Sequence, residues 1–409
     1  MLMSVPMWLT YDLSPVVWTL LAVALCAVVT LVAITLTRIH RVTSRAATDN
    51  AACEDDVSST HPDYASPLPP VSVIIYACGH SRTLPPLAEA ILAQDYPSPF
   101  EVIVVNDGGD HTVHDSMQRL MLSHPNLYMT FVPEHSRSLS RRKLSLTLGI
   151  KAAEYDTVLL TRGNCMVNSS NWLRSMMRHV AQGAEIVVGH AYLSADDDRP
   201  IDRLTAFDEA WQAVTYLPRA INGRPFRASG CNLAYARHLF FDHKGFSGSL
   251  NIKSGDDDMF VYDMARGLSD EFASSTAVEL SEDSMIRIIE DDPAHSHARL
   301  MRERLFADST LPTRPALIMG LCSLSLWIWL LCSAAAIALA LPSLVPAISV
   351  ALMLIPLLVM IIKWRKAVLI LSRRRLGGTL PLLLLWHPVY HLAHKLSAHR
   401  HRKENFTWN

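Results

Sequence analysis

The sequence has few cysteines and no Cys-x-x-Cys pair. Seven cysteines are scattered over 409 residues, at positions 26, 53, 78, 165, 231, 322 and 332. Disulfide frameworks and zinc sites need cysteines at short, regular spacings. The distribution therefore excludes both and fits a reducing compartment.

An excess of charge is also missing. Lys and Arg number 37 against 38 Asp and Glu, for a formal net charge of −1. Because proteins that bind nucleic acid carry clustered basic charge, no nucleic-acid partner is predicted. Residues 13–37 and 315–362 contain no charged residue at all, and a transporter usually needs ionisable groups inside its spans. This absence argues against a transporter.

The first uncharged stretch predicts a membrane anchor. It exceeds the ~20 helical residues that cross a hydrocarbon core. No Lys or Arg precedes it, whereas Arg38, Arg41 and Arg45 follow it. A secretory signal would have the opposite charge order and a shorter apolar stretch. Residues 1–41 are therefore predicted to be an uncleaved anchor whose following side is cytoplasmic.

The second uncharged stretch predicts a pair of transmembrane helices over residues 315–363. Pro342 and Pro346 interrupt it near its middle, which favours two helices joined by a tight turn. Arg314 precedes it and Lys363 follows it, so both outer ends are expected in the cytoplasm. The chain is thus predicted to be multi-pass, with three transmembrane helices.

Two further segments flank these helices. Residues 42–70 are rich in Ala, Ser, Thr, Asp and Pro without periodicity, which predicts a flexible linker. Residues 364–409 form a basic, His-rich tail that is predicted to be cytoplasmic and to lie at the bilayer interface. Its histidines at 387, 391 and 394 share one helical face, which allows either a metal site or a plain interfacial face.

Between the anchor and the helix pair, apolar strand patterns alternate with helical ones. Strands are predicted at 71–77, 101–107, 127–132, 158–161 and 185–192, and helices at 84–94, 111–122, 139–153, 171–182 and 201–221. This alternation predicts an α/β domain with a doubly wound, mostly parallel sheet. Ligands of such sheets bind at the carboxyl ends of the strands.

Four polar segments stand at places where such a sheet binds ligands. They are V-V-N-D-G-G-D (104–110), the basic helix start S-R-R-K (140–143), T-R-G-N-C (161–165) and S-G-D-D-D-M-F-V (254–261). In this order, residues 71–306 resemble the family-2 glycosyltransferases, in particular the membrane-anchored bacterial type. The resemblance implies a GT-A fold over 71–308 on the cytoplasmic side of the bacterial inner membrane. It also implies inverting transfer of a sugar from a nucleotide-diphospho-sugar to a lipid-linked or cell-surface polysaccharide acceptor.

The resemblance also implies roles for single residues. Asp107 would accept the ring N–H of the nucleobase, and Arg142 and Lys143 would lie beside the donor diphosphate, with Arg162 and Asn164 at the position of the family's metal-binding segment. Asp256 or Asp257 would be the general base, with the register between them open. Asp258, Arg302 and Arg304 would lie on the acceptor or product side. Read alone, these segments also fit an Asp-Gly turn, a solvated basic face and an acidic helix start.

Three departures from the family pattern bear on activity. The two aspartates of T-D-A-D-C are replaced by Arg162 and Asn164, although Mg²⁺ and Mn²⁺ prefer anionic oxygens. Residues 297–306 lack the Gln and Trp of Q-x-x-R-W, and residues 76–80 lack the usual P-x-Y-N-E. One hypothesis is that Arg162 binds the diphosphate in place of a metal. The alternative is a catalytically silent homologue, acting as a scaffold or partner subunit in envelope-glycan assembly.

Overall fold

The computed structural model describes residues 15–58, 67–79, 82–107, 111–133, 140–194, 199–249, 256–267, 275–290, 295, 297–298, 301, 313–339 and 345–400. The described strands are β1 (Val71–Ala77), β2 (Phe100–Asn106), β3 (Leu127–Phe131), β4 (Thr157–Arg162), β5 (Cys165–Val167), β6 (Ile186–Val188), β7 (Ala191–Leu193), β8 (Leu233–Ala236), β9 (Thr276–Val278) and β10 (Ile286–Ile288). The described helices are α1 (Pro15–Ser58), α2 (Leu84–Leu92), α3 (His111–Met121), α4 (Arg141–Ala152), α5 (Trp172–Ala181), α6 (Pro200–Ile221), α7 (Arg237–Asp242), α8 (Asp256–Gly267), α9 (Thr313–Leu339), α10 (Val345–Ser372) and α11 (Leu380–Arg400).

Seven strands form the main sheet, in the order β3-β2-β1-β4-β8-β6-β9. All neighbouring pairs are parallel except β4–β8 and β8–β6, in which β8 runs antiparallel. The predicted α/β fold with a mostly parallel sheet is therefore confirmed. The strand order reverses between β1 and β4, and such a reversal opens a crevice at the carboxyl ends of the strands.

Both faces of the main sheet are covered. Buried side chains of the central strands are shared between two apolar clusters, one with α4 and α6 and the other with α2, α3 and α5. Neighbouring strand residues serve opposite faces, so Ile74 belongs to the first cluster and Val73 and Ile75 to the second. This two-sided burial explains the nearly continuous apolar runs of β1 and β2.

The predicted strand at 185–192 is divided between two sheets. Its first half is β6 of the main sheet, and its second half is β7 of a small sheet in the order β5-β10-β7. The break falls at Gly189, where an added Cβ would lie 2.4 Å from the side-chain Nδ2 of Asn232. Asn232 donates to the carbonyls of His190 and Ser284 and accepts from Trp172 Nε1, so it fixes the break from three sides.

The predicted linker at 42–70 is wrong over residues 42–58, because α1 continues to Ser58. The polar half of α1 packs on the sheet domain instead of leaving it. Asp49 is buried, accepts from the Leu280 amide and pairs with Arg178 of α5. The composition suggested a linker, but these long-range contacts stabilise a helix.

Two helices are present where the uncharged stretch 315–362 predicted a pair, α9 and α10. Two described helical segments are long and apolar enough to cross a membrane. They are Pro15–Glu54 and Gly320–Leu339. In the tail, α11 packs its residues Leu380, Leu383 and Leu384 into the same apolar cluster as α6. His387 is buried there, so it faces the domain, contrary to the expectation of a shared interfacial histidine face.

Candidate active site

The carboxyl ends of β1, β2 and β4 bring the predicted donor-side residues together. Tyr76 of β1 lies in register with Arg162 of β4, and Asp107 directly follows β2. The Tyr76 hydroxyl donates to Asp107 Oδ2 at 3.1 Å, and Arg141 Nε donates to Asp107 Oδ1 at 2.6 Å. Burial, with the nearby Cys78 and Asp107, raises the pKa of Tyr76, so its hydroxyl stays a donor.

Asp257, the second residue of α8, accepts three hydrogen bonds on one oxygen. Arg142 of α4 donates to Oδ2 of Asp257, and Arg162 of β4 donates to the same oxygen at 3.2 Å. The Gly230 amide is the third donor, at 3.0 Å. Burial acts to raise the pKa of Asp257, but the charges of Arg142 and Arg162 and the hydrogen bonds outweigh it and hold the pKa below its usual range.

Because residue 230 is glycine, the Asp257 carboxylate can approach the backbone at this point. A Cβ at residue 230 would lie 2.1 Å from Asp257 Oδ1 and 2.3 Å from Oδ2. Only glycine therefore lets the carboxylate approach the backbone amide. This explains physically why glycine stands in the Ala228–Tyr235 segment that precedes and forms β8.

The other predicted residues occupy distinct positions around this centre. Asp258 pairs with Arg227 at 3.1 Å and accepts from the Ala228 amide, so it holds α8 to the segment before β8. Lys143 is buried and donates to the Ser249 carbonyl. Asn164 Nδ2 donates to Glu290 Oε1 at 2.7 Å. The Asp256 side chain and residues Arg302 and Arg304 lie outside the described part of the chain.

The side chains that the structure describes at this edge are a poor ligand set for Mg²⁺ or Mn²⁺. These ions require several oxygen ligands with little positive charge nearby. Here Arg142 and Arg162 already occupy Asp257, and Glu290 is engaged by Asn164. A cation would have to displace two guanidinium groups, so no step of the chemistry is assigned to a metal.

A second charged cluster lies where α1 meets α5. Within the described residues, Asp49, His179 and Glu279 bring their possible metal-ligand atoms within 4.8 Å of one another. Arg178 contacts both carboxylates, at 3.3 Å from Asp49 and 2.8 Å from Glu279, and Arg45 pairs with Asp49 at 3.0 Å. Two arginines balance the two acids, so the cluster is a buried ion-pair network that docks α1.

Sequence reasoning missed Tyr76, Gly230 and Glu290. Tyr76 is the next-to-last residue of β1, at the same edge as Asp107 and Arg162, so the rule about strand ends would have found it. Glu290 follows β10 of the small sheet, a strand that the sequence did not predict. No local signal identifies Gly230 as the partner of a residue in α8.

Among solved structures, mannosyltransferase PcManGT from Pyrobaculum calidifontis, in complex with GDP-Man and Mn²⁺, superposes with a TM-score of 0.50 at 17% identity over 90% of this chain and 98% of that chain. This likeness shows a shared fold. TarS 1-349 of S. aureus, in complex with UDP-GlcNAc, matches with a TM-score of 0.38 at 16% identity over 82% of this chain and 90% of that chain. A search of the curated proteins finds no match. A family model described as glycosyl transferase family 2 matches residues 72–243. Residues 72–243 of the chain are thus similar to glycosyl transferase family 2.

Proposed function

We propose that the protein is a membrane-bound inverting glycosyltransferase that uses a nucleotide-diphospho-sugar and binds the donor diphosphate with arginines. The observation that carries the proposal is the convergence of Arg142 and Arg162 on one point at the carboxyl edge of the sheet. Guanidinium groups bind phosphate oxygens through paired hydrogen bonds. The start of α4 adds backbone amides that favour an anion.

The donor residues then have separate roles. Asp107, which is 2% exposed and oriented by Tyr76 and Arg141, accepts the N–H of the nucleobase. Arg142 and Arg162 neutralise the diphosphate, and Asn164 orients Glu290 beside them. Lys143, which is buried and donates to the Ser249 carbonyl, adds positive charge near the start of α4.

Transfer follows a single displacement. The acceptor hydroxyl oxygen forms a bond to the anomeric carbon while the bond from that carbon to the diphosphate oxygen breaks. The proton of the hydroxyl passes to a carboxylate of the 256–258 segment, with Asp256 or Asp257 as the base. The electron pair leaves on the diphosphate, where the two arginines stabilise the charge.

The experiment compares donor turnover with and without a divalent cation. The full chain in detergent is incubated with a panel of uridine- and guanosine-diphospho-sugars, and sugar release is measured in EDTA and in Mn²⁺. Because arginines take the place of the metal, turnover in EDTA should equal turnover in Mn²⁺. Strict dependence on Mn²⁺ would contradict the proposal.

The acceptor and the location follow from the helices. Three spans, α1, α9 and α10, are proposed to hold the domain at the cytoplasmic face of the bacterial inner membrane, with the basic tail at the interface. The long helix α6 supports this arrangement, since it contacts α1, α9, α10 and α11. A domain held this close to the bilayer suits a lipid-linked or surface-glycan acceptor.

A catalytically silent scaffold in envelope-glycan assembly is the second candidate. It is favoured by the state of Asp257, whose pKa is lowered and whose Oδ2 already has three donors. This candidate predicts no calorimetric binding of uridine or guanosine diphosphate and co-purification with an active partner subunit. Micromolar nucleotide binding that Asp107→Ala abolishes would exclude it.

A further inference from the structure

We propose that Asp257 is an internal stand-in for the donor: its carboxylate occupies the diphosphate-binding arginines until the diphosphate displaces it. The inference rests on the proposed function and adds a regulation of the same site. In the arrangement described, both arginines donate to Asp257 and the carboxylate is engaged. Arrival of the donor exchanges one anion for another.

The geometry of Asp257 Oδ2 carries the inference. Arg142, Arg162 and the Gly230 amide all donate to this one oxygen, from α4, β4 and the segment before β8. An oxygen with three donors, two of them charged, has no capacity left to take a proton from an acceptor. With Oδ2 engaged by these donors, Asp257 is a weakened base in this arrangement, although it stands in the segment where the base is expected.

The position of the pair explains why a diphosphate would compete. Arg142 is the second residue of α4, at a helix start that favours an anion, and Arg162 ends the strand next to β1 at the reversal of strand order. Under the proposed function the donor phosphates lie at this edge, near Asp107, which Arg141 of α4 contacts. A diphosphate supplies more negative charge than the single carboxylate of Asp257, so it competes for the same two guanidinium groups.

The exchange also has a consequence for the base. Burial acts to raise the pKa of Asp257, and the two arginines, with the Gly230 hydrogen bond, hold it below its usual range. Once the diphosphate takes the arginines, the Gly230 hydrogen bond remains but the arginine charges no longer oppose burial, and the pKa of Asp257 rises. The carboxylate then becomes a better proton acceptor only when the donor is bound.

A purely structural role for Asp257 and a competing role predict opposite changes in the affinity for diphosphates when the carboxylate is removed. If the carboxylate only fixed the arginines in place, removing it would leave them disordered, and the affinity for diphosphates would fall. If it competes with the diphosphate, removing it would raise the affinity. The sign of the change separates the two roles.

The experiment is isothermal titration calorimetry on the full chain in detergent, in EDTA, with pyrophosphate, UDP and GDP as probes. Asp257→Asn should bind at least one probe about tenfold more tightly than the unmodified protein, because a charged hydrogen-bond competitor has been removed. The matched control is Asp263→Asn, which removes the same charge from an exposed position of the same helix α8. Its affinity should stay within about twofold.

The outcomes distinguish this inference from the proposed function. Tighter binding by Asp257→Asn, or binding by that variant alone, supports the exchange. Equal or weaker binding by Asp257→Asn overturns the exchange and leaves the donor site standing. If neither protein binds any probe, both the inference and the proposed donor site are wrong.

A measurement on the unmodified protein covers the case in which Asp257→Asn fails to fold. Hydrogen exchange is followed in peptides from α4 and α8 with and without pyrophosphate. Displacement of Asp257 should slow exchange at the start of α4 and speed exchange in the first half of α8 at least about twofold. Slower exchange in both helices would overturn the inference.

Discussion

Asp208 is a fully buried carboxylate, and its two histidine neighbours determine how much it stabilises the fold. It lies on α6 at 0% exposure, with His387 Nε2 2.7 Å from Oδ1 and His297 Nε2 2.9 Å from Oδ2. Burial acts to raise the pKa of Asp208, but the hydrogen bonds and charges of the two imidazoles outweigh it and lower the pKa. The three side chains therefore hold α11 and residue 297 against α6.

Asp208→Asn should lower the free energy of unfolding by about 3 to 5 kcal/mol at pH 7, because it leaves buried partners uncompensated. A carboxyl with a lowered folded pKa stabilises above its unfolded value of about 3.9, and this stabilisation is lost as the pH falls. The difference between the two proteins should therefore shrink below about pH 4. Denaturant unfolding in detergent at pH 7 and at about pH 2.5, well below the unfolded pKa, measures it. Asp95→Asn, at an exposed ion pair with Arg174, is the control and should change little.

The replaced aspartates offer a second test at single positions. Arg162→Asp with Asn164→Asp places two carboxylates near Glu290, whose Oε1 now lies 2.7 Å from Asn164 Nδ2. Three neighbouring carboxylates repel one another and create the oxygen site that Mn²⁺ prefers. The double variant should therefore melt at a higher temperature in Mn²⁺ than in EDTA, by the several degrees that about 2 to 3 kcal/mol of ligand stabilisation gives. The unmodified protein should melt equally in both, and an equal response of the two proteins would contradict the assignment.

The location of a single site residue could be predicted from the sequence where the residue ends a strand. It could not be predicted where the residue pairs with a partner far away in the chain. Asp107 and Arg162 follow apolar runs, so the sequence indicates that they share an edge. The partners of Asp257 lie 115 and 95 residues away, and no local pattern reports them. The burial of Lys143 was unpredictable for the same reason, because its partner Ser249 is distant in the chain.

The length of α1 is the main finding among the elements. The sequence predicts that the anchor ends at 41, since composition changes there, but the charged network around Glu279 extends the helix. Glu279 is buried and contacts Arg178 at 2.8 Å and His179 at 2.7 Å. Likewise, the break between β6 and β7 depends on Asn232, which no pattern within 185–192 can indicate. Local periodicity predicts the existence of elements, and tertiary contacts decide where they end.

The alkylation rate of Cys53 shows whether the end of α1 stays packed on the sheet domain, since its Sγ lies 3.4 Å from Ser175 Oγ of α5. Glu279→Gln should speed alkylation of Cys53 at least about tenfold, because a charged hydrogen bond worth about 1.5 to 3 kcal/mol is lost. The rate is read by mass spectrometry of the peptide that contains Cys53. Arg174→Ala, on the same helix α5 but paired with exposed Asp95, should leave the rate unchanged. An unchanged rate in Glu279→Gln would show that other contacts dock α1.

At the scale of the whole molecule, α6 joins the sheet domain to the apolar helices. Phe207 of α6 packs on Trp364 of α10 with ring centroids 5.2 Å apart, and Trp211 stacks on the same ring at 5.1 Å. The Ser372 hydroxyl donates to the Ala206 carbonyl at 2.7 Å. These contacts fix the end of α10 against the domain. Both must therefore lie on the same side of the membrane if α9 and α10 cross it.

This requirement gives a topology test with cysteine labelling in cells that express the full chain. Cys78 is exposed in the sheet domain, and Gly378 is exposed after α10, with no atom within 4 Å of an added Cβ. In a Gly378→Cys variant, a membrane-impermeant maleimide should label both positions only after the cells are opened, because the basic flanks keep both ends cytoplasmic. A Pro342→Cys variant should be labelled in intact cells, since that position lies between the two predicted spans. Labelling of position 378 in intact cells would mean that α10 does not cross, and the contacts between α6 and α10 could not then coexist with a cytoplasmic domain.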